Sequence, residues 1–152
     1  MPSLEELYKE VILDHYKNPR NTGELEPPAV KSEGHNPLCG DDITLYVTIE
    51  DGVIKDVKMK STGCSISQAS ASMMTGAIKD KTTDEALELM DTVKQMLKVH
   101  LDGSESDGAV PPGLGDLAAL QGVVQFPVRI KCATLSWNTL AEAIKQATAA
   151  SN

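Results

Sequence analysis

The sequence contains few aromatic residues and no long hydrophobic run. Aromatic side chains make up only 3% of its 152 residues, so a hydrophobic core would consist mainly of aliphatic side chains and methionine. No apolar stretch approaches the roughly 20 residues that a membrane-spanning helix needs. The first residues show neither the basic nor the apolar segment of a signal peptide. We therefore expect a cytoplasmic protein with no membrane partner.

Basic residues are in the minority. Lys and Arg number 14 against 22 Asp and Glu, which gives a formal net charge of −8. A nucleic-acid-binding protein normally needs a positive surface to neutralise phosphates, so no nucleic-acid partner is expected. The length fits one domain over residues 1–152, with hydrophobic and charged contents that are ordinary for a globular protein.

Cysteine is scarce, and the chain has no C-x-x-C pair. The three cysteines occur in the segments Asn36-Pro37-Leu38-Cys39-Gly40-Asp41, Thr62-Gly63-Cys64-Ser65-Ile66-Ser67 and Arg129-Ile130-Lys131-Cys132-Ala133-Thr134. An odd number of cysteines without a secretory signal argues against a disulfide framework. In a reducing compartment these thiols are better explained as metal ligands or nucleophiles.

The pattern of apolar residues predicts an α+β fold in which a small antiparallel β-sheet (about three strands) is covered by helices from both ends of the chain. The predicted helices are one ended by Asn18-Pro19, one opened by Cys64, one capped by Thr82 and Glu85, a short one at residues 117–124, and a last one over residues 133–147. The polar, Gly- and Pro-rich stretch of residues 100–116 is predicted to be a mobile insertion loop.

Alternation of apolar and polar residues predicts a strand at residues 43–50. Its hairpin partner is predicted at residues 53–60, with Val53, Val57 and Met59 on one face. A two-residue turn at Asp51-Gly52 would place Leu45 opposite Lys58 and mix the two faces of the sheet. A three-residue loop that includes Glu50 places Leu45 opposite Val57, so we predict this register.

The same register places Cys39 beside Gly63 when the pairing is continued outward. Cys39 and Cys64 are therefore expected at one end of the hairpin. Three thiolates and one carboxylate form an acceptable tetrahedral zinc set, and Asp41 lies near enough in sequence to be the fourth ligand.

The predicted local structure also favours ionised sulfur. Cys64 and Cys132 are predicted at helix N-termini, where backbone N–H groups and the helix dipole favour a thiolate. Arg129 and Lys131 add positive charge beside Cys132.

Other interpretations remain open on these grounds alone. The cysteines could be scattered in the core as small hydrophobic residues, and either Asp41 or Asp42 could simply cap a turn. Histidine is a ligand candidate by type at three positions, of which the one before Cys39 is the nearest in sequence: His15, His35 and His100.

The three cysteine segments, together with Ala71-Ser72-Met73-Met74 and Leu135-Ser136-Trp137, resemble the SufU branch of the IscU/NifU-N family of iron–sulfur cluster assembly proteins. The resemblance covers nearly the whole chain. IscU-type members carry a histidine directly before the third cysteine, where this chain has Lys131, and SufU-type members carry an insertion between the second and third cysteines. Both features favour the SufU type.

The resemblance implies a zinc-dependent sulfurtransferase that works with a pyridoxal-phosphate-dependent cysteine desulfurase of the SufS type and supplies downstream iron–sulfur assembly components. By position, zinc would be held by Cys39, Asp41, Cys64 and Cys132, and Cys39 would be the catalytic sulfur acceptor. Freed from the metal by the partner enzyme, its thiolate would attack the enzyme's persulfide. Arg129 would support the site by pairing with Asp41.

Two alternatives use the same residues. The wider family implies a scaffold on which a [2Fe–2S] cluster assembles on the three cysteines. A zinc-stabilised interaction module would instead bind the metal without any transfer chemistry.

Overall fold

A computed structural model describes residues 4–26, 29–36, 40–98, 117–120 and 129–150. Its regular elements are, in order, α1 (Leu4–Lys17), β1 (Val30–Asn36), β2 (Asp41–Glu50), β3 (Val53–Thr62), α2 (Ser65–Ile78), α3 (Thr83–Lys98) and α4 (Ile130–Ala150). The three strands form one antiparallel sheet in the order β1-β2-β3, with helices before and after it in the chain. The predicted α+β class is confirmed.

Local capping explains where the helices begin and end. Helix α1 ends at Lys17, directly before Asn18-Pro19, because proline cannot continue a helix. Thr82 and Glu85 form the predicted capping box of α3: the Glu85 N–H donates to Thr82 Oγ1 at 3.1 Å, and the Thr82 N–H donates to Glu85 Oε1 at 3.0 Å.

The register in which β2 pairs with β3 differs from the predicted one. Its turn is the two-residue Asp51-Gly52, in which both residues have positive φ, as hairpin turns of the primed type require. A bulge then adds one residue to β3 opposite Thr48 and Ile49, so that Leu45 pairs with Met59 rather than with Val57.

The first strand was not located from the sequence. Only Val30 is apolar in β1, whose inward positions are Ser32, Gly34 and Asn36. A side chain at Gly34 would lie 2.1 Å from Thr139 Oγ1, so glycine is needed for this strand to pack directly against α4.

The core lies between the inner face of the sheet and the helices α2 and α4. Its largest fully buried side chains come from every layer, and they are mostly aliphatic, as the composition predicts: Leu45, Val47, Ile54, Val57, Met59, Met74, Ile78, Leu97, Leu117, Leu120, Trp137 and Leu140. The packing of α4 against both β1 and α2 fixes the start of α4 beside the sheet.

The outer edge of β3 has backbone partners from two other segments. Gly23 N–H donates to the Met59 carbonyl at 3.0 Å, and Met59 N–H donates to the Asn21 carbonyl at 2.9 Å. Nearer the hairpin turn, Ile54 N–H donates to the Lys81 carbonyl at 2.8 Å.

Some predictions fall outside the part of the chain that the structure describes. They are the mobile loop at residues 100–116, the second half of the helix predicted at residues 117–124, and the position of Cys39; residues 117–120 form a single 3₁₀ turn. None of the described helices combines the length and hydropathy that a bilayer-spanning helix requires.

Candidate metal centre

The pairing of β2 with β3 brings two of the candidate ligands, Asp41 and Cys64, together. Asp41 is the first residue of β2, and Asp42 pairs with Thr62 at the end of β3. The next residues of the two strands, Asp41 and Gly63, therefore lie side by side, and Cys64 follows at once. The prediction that Cys39 is the residue beside Gly63 was wrong, because the observed register differs from the predicted one by two residues.

The Asp41 carboxylate is completely buried and has fixed hydrogen-bond partners. Its Oδ1 accepts the backbone N–H of Cys64 at 2.8 Å, and its Oδ2 lies 3.9 Å from Cys64 Sγ. Burial acts to raise the pKa of Asp41, but hydrogen bonds from the Cys64 backbone and from the side chains of Cys132, Ser67 and Cys64 outweigh it and lower the pKa below its ordinary value. Asp41 is thus held as an anion.

Gly63 permits this close approach. It has a φ of +130°, in the region that favours glycine. A Cβ at this position would lie 2.2 Å from Asp41 Oδ1 and 2.8 Å from the Asp41 Cα. Because the Asp41 Cα belongs to the backbone of a paired strand, it cannot move aside as a flexible side chain would.

Cys64 is the N-cap of α2, as predicted. Its Sγ accepts the backbone N–H of Ser67 at 3.5 Å, and the side chain is partly exposed. The Gln68 amide donates to the Gly63 carbonyl at 2.8 Å and fixes the turn into the helix. The position places the sulfur beside the N–H groups at the positive end of the helix dipole.

Cys132 is the third residue of α4 and is completely buried. The Ser70 hydroxyl donates to the Ala133 carbonyl at 2.6 Å, which ties the first turn of α4 to α2. The Asn36 amide nitrogen lies 3.7 Å from Cys132 Sγ and ties the same turn to the end of β1.

Three donor atoms from distant parts of the chain therefore converge. One carboxylate oxygen of Asp41 and the sulfurs of Cys64 and Cys132 all lie within 4.8 Å of one another. Donor atoms bound to one zinc ion at about 2.0–2.3 Å lie about 3.3–3.8 Å apart at tetrahedral angles. Because 4.8 Å is the upper limit of these separations, the arrangement needs a contraction of at most about 1–1.5 Å, and a set of thiolate sulfurs and a carboxylate oxygen is one that zinc accepts.

The remaining candidates are the basic side chains beside Cys132 and the histidines. Arg129 is exposed in the turn just before α4, and Lys131 is exposed in its first turn. The pairing of Arg129 with Asp41 stays a prediction. His15 is buried against Ser72, with its Nδ1 at 2.8 Å from the Ser72 hydroxyl. Among the described residues, the grouping of potential metal ligands contains no histidine.

His35 pairs with Asp42 on the exposed side of the sheet, away from Asp41, because neighbouring residues of a strand point to opposite faces. His100 and Cys39 lie outside the described residues, so the structure places neither of them.

Asn36 was missed as a site residue. Its side chain is buried and its amide nitrogen lies 3.4 Å from Asp41 Oδ2 and 3.7 Å from Cys132 Sγ. A signal was available: Asn36 belongs to the Cys39 segment itself, but without the strand β1 its side-chain direction could not be predicted.

The fold and the site together define a small α+β protein with a centre of two cysteine sulfurs and one carboxylate, built at the junction of a hairpin and two helix N-termini. The model of one family, described as NifU-like N terminal domain, matches residues 7–150. The chain belongs to this family and is of its SufU type.

Individual relatives support this family assignment. The chain is 47% identical over 142 residues to the zinc-dependent sulfurtransferase SufU of Bacillus subtilis, covering 93% of this chain and 92% of that one. It is 41% identical over 147 residues to the iron–sulfur cluster assembly scaffold protein IscU of Streptococcus pyogenes, covering 96% and 87% of the two chains.

A solved structure shows the same architecture. The crystal structure of a putative iron–sulfur cluster assembly scaffold protein for the SUF system from Fervidobacterium islandicum superimposes with a TM-score of 0.74 at 38% identity, and the match covers 89% of this chain and 94% of that one. The resemblance that the cysteine segments carry is thus confirmed.

Proposed function

We propose that this protein is a zinc-dependent sulfur carrier of iron–sulfur cluster biogenesis, which accepts persulfide sulfur from a cysteine desulfurase. The observation that carries the proposal is the convergence of Asp41, Cys64 and Cys132, which supplies three donors of the kind that zinc binds. The likeness to the Bacillus subtilis zinc-dependent sulfurtransferase supports it.

Zinc would be held by Cys39, Asp41, Cys64 and Cys132, and when bound it would keep the coordinating thiols deprotonated. Cys39 precedes Asp41 by only two residues in the chain. The three described donors already have N–H partners that a bound ligand set would need: Asp41 accepts from the amide of Cys64, Cys64 lies at the N-terminus of α2, and the Asn36 carboxamide nitrogen lies beside Asp41 and Cys132.

Cys39 is the proposed sulfur acceptor. Its thiolate attacks the terminal sulfur of the desulfurase persulfide, the S–S bond of that persulfide breaks, and the enzyme cysteine leaves as a thiolate. Cys39 then carries the persulfide, and no external oxidant or reductant is consumed. The reaction suits a reducing compartment such as the cytoplasm, in which downstream iron–sulfur assembly components would receive the sulfur.

A second candidate function is a scaffold for a [2Fe–2S] cluster. The observation in its favour is the likeness to the Streptococcus pyogenes scaffold protein. Against it stands Lys131, which occupies the position directly before the third cysteine, where IscU-type members carry a histidine. A lysine ammonium donates hydrogen bonds but offers no lone pair to a metal.

The first experiment measures anaerobic turnover of a cysteine desulfurase in the presence of zinc-loaded or metal-stripped protein. We expect stimulation by the zinc form only, and its loss in Cys39→Ala, because that variant has no acceptor thiol. A parallel Asn138→Ala variant, changed at an exposed position of α4, should stimulate as the wild type does.

Two results would contradict the sulfur-transfer proposal. Sulfur transfer at the wild-type rate by Cys39→Ala would remove Cys39 as the acceptor. Failure of the zinc form to stimulate the desulfurase would contradict sulfur transfer itself. Cluster formation on stripped protein supplied with iron and sulfide would then establish the scaffold, and the absence of cluster formation would leave a zinc-stabilised interaction module.

A further inference from the structure

Asn36 touches two of the three described donor groups at once. It is the last residue of β1 and pairs across the sheet with Asp41, the first residue of β2. Its amide nitrogen lies 3.4 Å from Asp41 Oδ2 and 3.7 Å from Cys132 Sγ, although Asn36 and Cys132 are 96 residues apart in the sequence.

The chemistry of a carboxamide decides which of its ends faces the two donor groups. The nitrogen donates hydrogen bonds, whereas the oxygen only accepts them. An oxygen in this place would oppose the Asp41 carboxylate, which only accepts hydrogen bonds, so the nitrogen is the end that makes a favourable contact there. The same nitrogen can donate to the Cys132 sulfur, so Asn36 stabilises negative charge on both groups without carrying charge itself.

Burial makes these hydrogen bonds effective. Asp41 and Cys132 are completely buried, and Asn36 is only 7% exposed, so water does not compete for the donor. Cys64 differs, because it is partly exposed and its Sγ is bonded instead to the N–H of Ser67 in its own helix. The centre thus has a buried half, joined by Asn36, and an accessible half at the start of α2.

We propose that Asn36 is a positioning residue of this centre: its carboxamide holds Asp41 and Cys132 side by side and withdraws negative charge from both donor atoms. The inference rests on the proposed zinc site. Three thiolates and a carboxylate carry more negative charge than zinc neutralises, and hydrogen bonds to ligand atoms from outside the ligand set commonly determine metal affinity.

The test compares zinc affinity, by competition with a chromophoric chelator, in wild type, Asn36→Ala, Asn36→Asp and the exposed control Asn138→Ala. We expect Asn36→Ala to bind zinc about 10–100-fold more weakly. Asn36→Asp should bind zinc more weakly still, because it replaces a hydrogen-bond donor by an anion of the same shape. Asn138→Ala should match the wild type.

A spectroscopic measurement separates positioning from a general effect on stability. Cobalt(II) bound to thiolates gives sulfur-to-metal charge-transfer bands, and removing the N–H donor at Cys132 should shift them in the Asn36 variants. A change in stability alone would alter how much protein binds cobalt but would leave the band positions of the bound form unchanged. Circular dichroism of the metal-free variants checks their fold, and the isosteric Asn36→Asp tests the donor if Asn36→Ala fails to fold.

The outcomes distinguish the two proposals. Zinc affinity within about twofold of the wild type and unshifted bands in both Asn36 variants would overturn the role of Asn36 alone. Absence of zinc binding by the wild type would instead overturn the proposed function on which it rests.

Discussion

At the scale of single residues, the candidate metal centre depends on backbone contacts as much as on its ligands. The Asp41 carboxylate is held by the N–H of Cys64, and this contact exists only because Gly63 brings the two strand ends together. Glycine is needed at this position for two reasons, a positive φ and the absence of room for a Cβ.

Gly63→Ala is predicted to weaken zinc binding by about 10-fold or more, because the new methyl group would displace Asp41 from Cys64. Chelator competition measures the affinity. Gly52→Ala is the matched control: Gly52 also has a positive φ, +76°, but open space surrounds its missing Cβ. This control should lose stability while it retains zinc affinity, and an unchanged affinity in Gly63→Ala would contradict the prediction.

At the scale of elements, the sequence was informative where its signals are local. The helix starts at Cys64 and Thr82 were predicted, because an N-cap and its partners lie within four residues of one another. The predicted register of the hairpin was wrong because apolar–polar alternation repeats every two residues. A shift of two residues keeps the same side chains on the same face, so alternation cannot detect the single extra residue of a bulge in β3.

The strand β1 was not predicted because its inward-facing residues are not apolar. They contact the candidate metal centre or allow close packing against α4. Asn36 contacts Asp41, and Gly34 lies against Thr139 of α4. Neither residue belongs to the pattern by which strands are recognised. The convergence of Asp41 with Cys132 likewise depends on how α4 packs on the sheet, which no local signal encodes.

Gly34→Ala is predicted to destabilise the fold by about 1–3 kcal/mol, since its methyl group would overlap Thr139 Oγ1 and press on Ile43 and Leu135. Gly76→Ala is the control within α2. Its Cβ would meet no atom within 4 Å, and alanine favours a helix over glycine by about 0.5–1 kcal/mol.

Urea denaturation of the two variants checks this pair. We expect the midpoints to move in opposite directions from that of the wild type. Equal midpoints for Gly34→Ala and the wild type would show that β1 and α4 are not packed as closely as described.

At the scale of the whole molecule, the candidate centre joins segments that are far apart in the chain. Asp41 and Cys64 are separated by 23 residues, and Cys132 belongs to the last helix. A metal bound to all three would act as a cross-link between the hairpin, α2 and α4, and binding only to the folded chain stabilises it.

Zinc is therefore predicted to raise the melting temperature. At a free concentration of about 100 times the dissociation constant, the stabilisation is about 2.7 kcal/mol, which corresponds to roughly 5–10 °C for a chain of this size. Differential scanning calorimetry with zinc and with a chelator measures the shift. Cys132→Ser should show a much smaller difference between the two conditions, and a full shift in that variant would argue that the metal binds elsewhere.

The partners of β3 have a consequence for how copies of the protein meet in solution. An open strand edge presents unpaired N–H and C=O groups, on which another chain can add a strand and begin to aggregate. Residues 21–23 and Lys81 already occupy the outer edge of β3 at Met59 and Ile54. At the opposite border of the sheet, β1 carries the exposed side chains of Lys31, Glu33 and His35, and charged residues such as Lys31 and Glu33 discourage a second chain from pairing there.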